Sequence, residues 1–171
     1  MRPMDVGDFD ALLQGLQDPD RPWATGYPLD ESLVTAAMAQ ERLRDARRGG
    51  RDVGPWTQYQ LILADEGLVV GDFTFLEPPG PDDRVALVTF SIAPEQRGNK
   101  YATEAVREIV AWAKGRSDIR GLRADTDLVN PASHQVLRNA GLSVVQDDGD
   151  RQLYELRWER PERVTRTPVA R

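Results

Sequence analysis

The chain has 171 residues, a formal net charge of −6, a single histidine (His134) and no cysteine. That length fits one domain with a real core, while the residue inventory excludes disulfides, thiolate zinc sites, cysteine nucleophiles and multi-histidine metal centres. The acidic balance argues against a nucleic-acid binder; with no apolar run near the ~20 residues of a membrane helix and no signal-peptide order at the N-terminus, the expectation is a cytoplasmic protein without metal, nucleic acid or membrane among its partners.

Asp8 to Asp18 carries Phe9, Leu12, Leu13 and Leu16 at helical spacing. A Pro/Gly loop from Asp18 to Pro28 holds Trp23 and Tyr27. The segment from Leu29 to Arg48 reads as a second helix, with Asp30 as N-cap and Gly49-Gly50 as the stop. Two strands follow, Trp56 to Ala64 and Gly67 to Leu76, joined as a hairpin around Asp65-Glu66-Gly67. Arg84 to Ala93 is a third strand, apolar on both faces at several positions and therefore expected at the centre of a sheet.

Next comes a helix from Tyr101 to Lys114, with Ala102, Ala105, Val106, Ile109, Trp112 and Ala113 on one face and Gly115 at its end. Gly121 to Leu128 is a fourth strand. A short helix follows with both ends marked: Asn130 as cap, Pro131 in the first turn, Gly141 after the last. Two strands, "LSVVQ" and "QLYELRW", close the fold as a hairpin around Asp147 to Asp150. From Glu159 onward the composition suggests a mobile tail, so the domain is expected over 1–158 and the tail over 159–171. Strand–helix–strand–helix in the middle implies a crossover with locally parallel strands, within a mixed α/β sheet flanked by helices.

The stretch "APEQRGNKYATEA" links the third strand to its helix. The first backbone N–H groups of a helix have no intrahelical partners and sit at the positive end of its dipole. Gly98 permits close approach of backbone, Asn99 tolerates left-handed angles, and Arg97 and Lys100 add positive charge. Such a turn either cradles a pyrophosphate or is an ordinary solvated connection; the stretch alone leaves both open.

"IAPEQRGNKYATEAV", followed about thirty residues later by "NPASHQVLRNAGL", resembles the GNAT superfamily of acyl-CoA-dependent N-acetyltransferases, in particular the branch of ribosomal-protein alanine acetyltransferases. The resemblance implies a single-domain, mostly antiparallel mixed sheet splayed in a V, with acetyl-CoA in the opening. It implies pantetheine along the backbone of Ser91, Ile92 and Ala93. It puts pyrophosphate on the turn Arg97, Gly98, Asn99, Lys100, Tyr101 and Ala102, with Thr103 next in the helix. Asn130 corresponds to an asparagine that reaches the cofactor arm, and Ser133 to a serine that protonates the leaving thiolate. The acceptor is then a primary amine on a protein or small molecule, entering near Trp23 and Tyr27. The sequence departs from the pattern at Lys100, where a small residue belongs, and at Leu87 and Thr89, where the branch often carries an acid and a glycine. Asp72, Glu77 and Asp125 are substitutes for the missing base by position. These departures motivate two rival expectations, a CoA-sensing module without catalysis and a partner-binding domain without CoA.

Each remaining candidate has a plainer reading. Asn130 caps a helix whatever else it does, Ser133 is an ordinary first-turn residue, and Trp23 and Tyr27 would serve equally to pin their loop. His134 is expected at the surface, about 100° around the helix from Ser133. Glu155 and Glu159 are expected to be solvated, Trp112 and Trp158 to pack on the sheet, and Asp147 to Asp150 to form a charged turn without calcium-loop order. A homodimer through the closing hairpin is a further expectation.

Overall fold

A computed structural model describes residues 1–159. The expected tail lies outside the described residues except for Glu159. The elements are β1 (Arg2–Pro3), α1 (Val6–Leu13), α2 (Asp30–Arg48), β2 (Gln58–Ile62), β3 (Val69–Glu77), β4 (Val85–Ile92), α3 (Tyr101–Lys114), β5 (Gly121–Asp127), α4 (Pro131–Asn139), β6 (Ser143–Asp147) and β7 (Arg151–Arg157). They build one seven-stranded sheet in the order β1-β2-β3-β4-β5-β7-β6. Of these strands only β4 and β5 pair in parallel; every other neighbour is antiparallel. β4 is therefore central, as its two apolar faces require.

The first helix differs from the expectation. It starts earlier because Asp5 and Asp8 form a reciprocal capping box, each side chain accepting from the other's backbone N–H at 3.0 and 2.8 Å. It ends at Leu13 because Gly15 turns left-handed, φ 69°, which leaves Leu16 exposed outside the helix. At α2 the N-cap position belongs to Leu29 and no side chain caps it; Asp30 and Glu31 instead occupy the first turn, where the helix dipole favours carboxylates. The two-residue β1 on the edge of β2 was not foreseen.

The two faces of the sheet are unlike. Odd-numbered residues of β2 and β3 face α3. There Phe73, Phe75, Tyr59, Trp56 and the α3 residue Trp112 meet ring to ring, with centroids 5.1–6.2 Å apart. Ahead of the bulge at Leu61 and Ile62, the alternate residues face α2, and they are polar. Register places Gln58 opposite Thr74 and Thr74 opposite Thr89, then Gln60 opposite Asp72 and Asp72 opposite Ser91. Helix α2 covers this raft with its small buried residues Ser32, Thr35, Ala36 and Ala39. Its far end is tied down by Arg42, whose guanidinium donates to the backbone oxygens of Leu76, Phe75 and Trp56 at 2.7–2.8 Å. Gly71 lets β3 and β4 close beneath it: a Cβ there would sit 2.1 Å from the Ser91 carbonyl oxygen.

Two polar side chains lie deeper than expected. His134 is buried, its Nδ1 2.9 Å from the Tyr154 hydroxyl, because the closing strand β7 carries that ring up to α4. Glu155 is held by Arg123 across the β5–β7 pair and by Arg157 along its own strand rather than standing free in water.

Candidate functional site

β4 and β5 run side by side only at their start. Val85, Ala86 and Leu87 pair with Gly121, Leu122 and Arg123; beyond that point no ladder joins them, although each strand continues for four or five residues. The sheet parts there. A crevice at the carboxyl ends of diverging parallel strands, with helix N-termini following both, is where open α/β sheets receive ligands. Here α3 follows β4 and α4 follows β5, and the helices are linked by Arg107, which donates twice to the Asn139 carbonyl at 3.0 and 2.8 Å.

The β4 arm has unpaired backbone. Ala93 N–H bonds back to the Val70 carbonyl at 2.8 Å, so the amide of Ala93 is spent on β3. Strand alternation then turns the N–H and C=O of Ile92 and Phe90 away from β3, toward the parting. The Ile92 carbonyl receives Arg97 Nε at 3.1 Å, which folds the arginine back over the strand end. The chain continues through a 3₁₀ turn at Pro94–Gln96 and two left-handed residues, Gly98 with φ 82° and Lys100 with φ 66°. Lys100, not Asn99, takes the second left-handed position, while Asn99 Nδ2 bonds back to the Gln96 carbonyl at 3.1 Å.

Lys100 is the N-cap of α3, yet no side chain caps this helix. The first bond along it runs from Glu104 N–H to the Lys100 carbonyl, so the amides of Tyr101, Ala102 and Thr103 precede the intrahelical ladder. Arg97 to Lys100 are all exposed. The result is an open crown of N–H donors with the dipole behind it and two cationic side chains beside it, suited to a phosphate group.

On the β5 arm, Asn130 caps α4, its Oδ1 accepting from Ser133 N–H at 3.1 Å. The cap uses the oxygen and leaves the amide Nδ2 for another partner. Ser133 is half-buried in the first turn.

Trp23 and Tyr27 lie in the loop between α1 and α2, edge to face at 5.9 Å. The loop runs along the start of β3 through Val69, which exchanges backbone bonds with Pro22 and Ala24. Trp23 is half-buried, whereas Tyr27 is buried with its hydroxyl beside Asp72. That hydroxyl makes no well-aligned hydrogen bond among the described residues, though it is close enough for each group to act on the other's ionisation.

Asp72 is the buried acid among the described residues, 2% exposed. Ser91 Oγ donates to its Oδ2 at 3.0 Å, and Ser32 Oγ lies 2.8 Å from Ser91 Oγ. Burial pushes the carboxyl up to about 6, against the nearby hydroxyls of Ser32, Ser91 and Tyr27, which favour the anion. Burial likewise raises the Tyr27 hydroxyl, with the Asp72 charge adding to it. Of the three substitutes for the missing base, Asp72 is the buried one, opposite Ser91 on the parted stretch of β4; Asp125 lies on the parted stretch of β5 but is paired with Arg151 at 2.6 Å, and Glu77 is exposed at the end of β3 opposite Leu87. Sequence reading missed Ser32, which nothing in its local pattern distinguishes. Asp72 had a signal: an acid between Gly71 and Phe73 inside an otherwise buried run.

An open groove of ≈ 480 Å³ lies elsewhere, between β2 and α3, lined by Tyr59, Leu61, Tyr101, Ile109 and Trp112. It has apolar walls and lacks the crown of backbone donors, so the parted strands are the better candidate. No helix among the described residues is long and apolar enough to cross a membrane.

The family model described as an acetyltransferase (GNAT) domain matches residues 1–143. No curated protein matches the chain. Among solved structures, the ribosomal-protein-S5-alanine acetyltransferase from Vibrio fischeri is similar at 14% identity and a TM-score of 0.62, covering 91% of each chain. A chimera of the spermidine N-acetyltransferase SpeG from Vibrio cholerae and hSSAT gives 12% identity and 0.62, covering 91% of this chain and 93% of its own. The microcin C7 self-immunity acetyltransferase MccE, in complex with acetyl-CoA and AMP, gives 11% and 0.55, covering 75% of this chain and 71% of its own. At these identities the likenesses speak for the fold.

Proposed function

The chain belongs to the GNAT acetyltransferase family, and from that premise we propose that it moves an acetyl group from acetyl-CoA to a primary amine by direct attack. The observation that carries the reading is the coincidence of two features at one place: β4 and β5 part after Leu87, and the uncapped, cationic N-terminus of α3 opens beside the parting. One feature offers main-chain groups to an extended amide-bearing arm. The other offers unpaired N–H donors to a diphosphate. MccE, a neighbour described with acetyl-CoA, supports the co-substrate by analogy of fold.

The roles follow from the groups. Gly98 to Thr103 hold the diphosphate through backbone N–H, with Arg97 and Lys100 supplying charge. The free N–H and C=O groups of β4 near Phe90 and Ile92 hold the pantetheine, and an N–H there polarises the thioester oxygen, a form of stabilisation worth a few kcal/mol. Asn130 offers Nδ2 to the cofactor arm, and Ser133 returns a proton to the leaving sulfur. The amine enters from the side of Trp23 and Tyr27. Positioning supplies much of the remaining acceleration.

Calorimetric titration with acetyl-CoA tests this directly. Binding is expected in the wild type, with a loss of about tenfold or more in Lys100→Glu, where an anion replaces a cation at the crown. Lys100→Gly is expected to bind at least as well, because glycine accepts the left-handed angle without cost. Absence of binding at millimolar acetyl-CoA would leave a partner-binding domain. Binding without thiol release across an amine panel would leave a sensor.

A further inference from the structure

The polar raft beneath α2 is unlike an ordinary core, and it touches the parted strand at one residue, Ser91. Buried carboxylates are normally paired with a cation or with several N–H donors. Asp72 has neither: Ser91 Oγ donates to it, the Ser32 and Tyr27 hydroxyls lie close by, and no arginine or lysine forms an ion pair with it among the described residues. The titratable groups that act on it are Tyr27, from the loop above, and Glu31, from the first turn of α2, whose charge repels. A carboxyl so placed is complementary to an incoming ammonium. Ser91, on the parted stretch of β4, lies between Asp72 and Ser32: its Oγ donates to Asp72 Oδ2 at 3.0 Å, accepts from Ser32 Oγ at 2.8 Å and keeps one lone pair.

We infer that Asp72 takes the ammonium proton of the acceptor through the Ser91 hydroxyl. This rests on the acetyl-transfer reading above. In the step, an N–H bond of the ammonium breaks as its proton passes to Ser91 Oγ, and the former Ser91 proton passes to Asp72 Oδ2. The freed nitrogen lone pair attacks the thioester carbon, and the C–S bond breaks. The second nitrogen proton goes to the thiolate sulfur, so one neutral amide and one thiol form. The proton left on Asp72 returns to solvent after product leaves. Further along the raft, both amide atoms of Gln58 and the hydroxyl of Thr74 are buried with no partner among the described residues.

The test compares wild type, Asp72→Asn and Ser91→Ala as full chains. Acetyl-CoA binding is measured by calorimetry, and thiol release is followed from pH 5 to 9 with three probes: spermidine, a peptide with a free N-terminal alanine, and lysine amide. All three proteins are expected to bind acetyl-CoA within about twofold of one another. Asp72→Asn is expected to lose about 100-fold in kcat/KM at pH 7, the range of a general base, and to lose the acid limb of the wild-type profile. The deficit should shrink toward pH 9, where the amine deprotonates without help. Ser91→Ala should lose about tenfold with the same recovery, and it serves if the Asp72 variant does not fold. A deficit equal at every pH, or none, overturns the relay and leaves Asp72 as a pin for the α1–α2 loop. Transfer to none of the probes by a wild type that binds acetyl-CoA also overturns it, while the cofactor site stands. Failure of the wild type to bind acetyl-CoA overturns the acetyl-transfer reading itself.

Discussion

The sheet has one face that packs as an apolar core and one that is polar yet buried. Under α3, Phe73, Phe75, Tyr59 and Trp112 pack ring against ring. Under α2, strands β2, β3 and β4 present Gln58, Gln60, Asp72, Thr74 and Ser91, all buried, with unmet hydrogen-bonding capacity at Gln58 and Thr74. Alternation alone would turn such a polar face to solvent. Covering it with α2 costs stability, because each orphaned buried polar atom forfeits about 1–3 kcal/mol of solvation. A fold that accepts this cost beside its candidate acceptor entrance is following the pattern in which local rules fail at functional sites.

Substitutions can break or sharpen the contrast. The largest effect is expected at Phe75→Ala, which empties the middle of the aromatic cluster and should cost about 3–5 kcal/mol in urea unfolding. On the other face the sign reverses. Because the Asp72 carboxyl is raised from 3.8 to about 6 in the folded protein, the native state binds the extra proton and wild-type stability falls as pH rises from about 4 through about 6. Asp72→Asn removes that dependence. It should be more stable than wild type at pH 8 by up to about 3 kcal/mol and lose the advantage below pH 4, as denaturation midpoints at pH 3.5, 5 and 8 would report. The smallest effect is expected at Gln58→Met, where an apolar side chain of similar length replaces two unpartnered atoms. Its stability should lie within about 1 kcal/mol of wild type or above it.

Legibility in the sequence followed the range of the forces involved. Helix α3 matches its expected bounds, Tyr101–Lys114, because a strong apolar period and a terminal glycine are both local. Asn130 as the cap of α4 was legible for the same reason. The α1 boundary was missed because Asp5, ahead of the apolar run, completes a capping box that outweighs the reach of Leu16. β1 was invisible because two residues carry no period. His134 and Glu155 were misjudged because their partners, Tyr154 and Arg123, lie 20 and 32 residues away and arrive only when the sheet closes. At the site, the crown after β4 could be read from the motif. The left-handed turn at Lys100 could not, since a lysine gives no sign of the angle its neighbours impose. The raft was half legible: the polar members sit at alternate positions of their strands, but only tertiary packing places α2 over them.

Amide chemical shifts during titration with coenzyme A test the central claim most directly. If the diphosphate rests on the N-terminus of α3, the largest ¹⁵N–¹H changes are expected at Gly98 to Thr103, with smaller ones at Phe90 and Ile92, and Lys100→Glu should abolish them. Changes centred on Ile109 and Trp112 in the groove beneath α3, with the amides of Gly98 to Thr103 unmoved at saturating ligand, would contradict it.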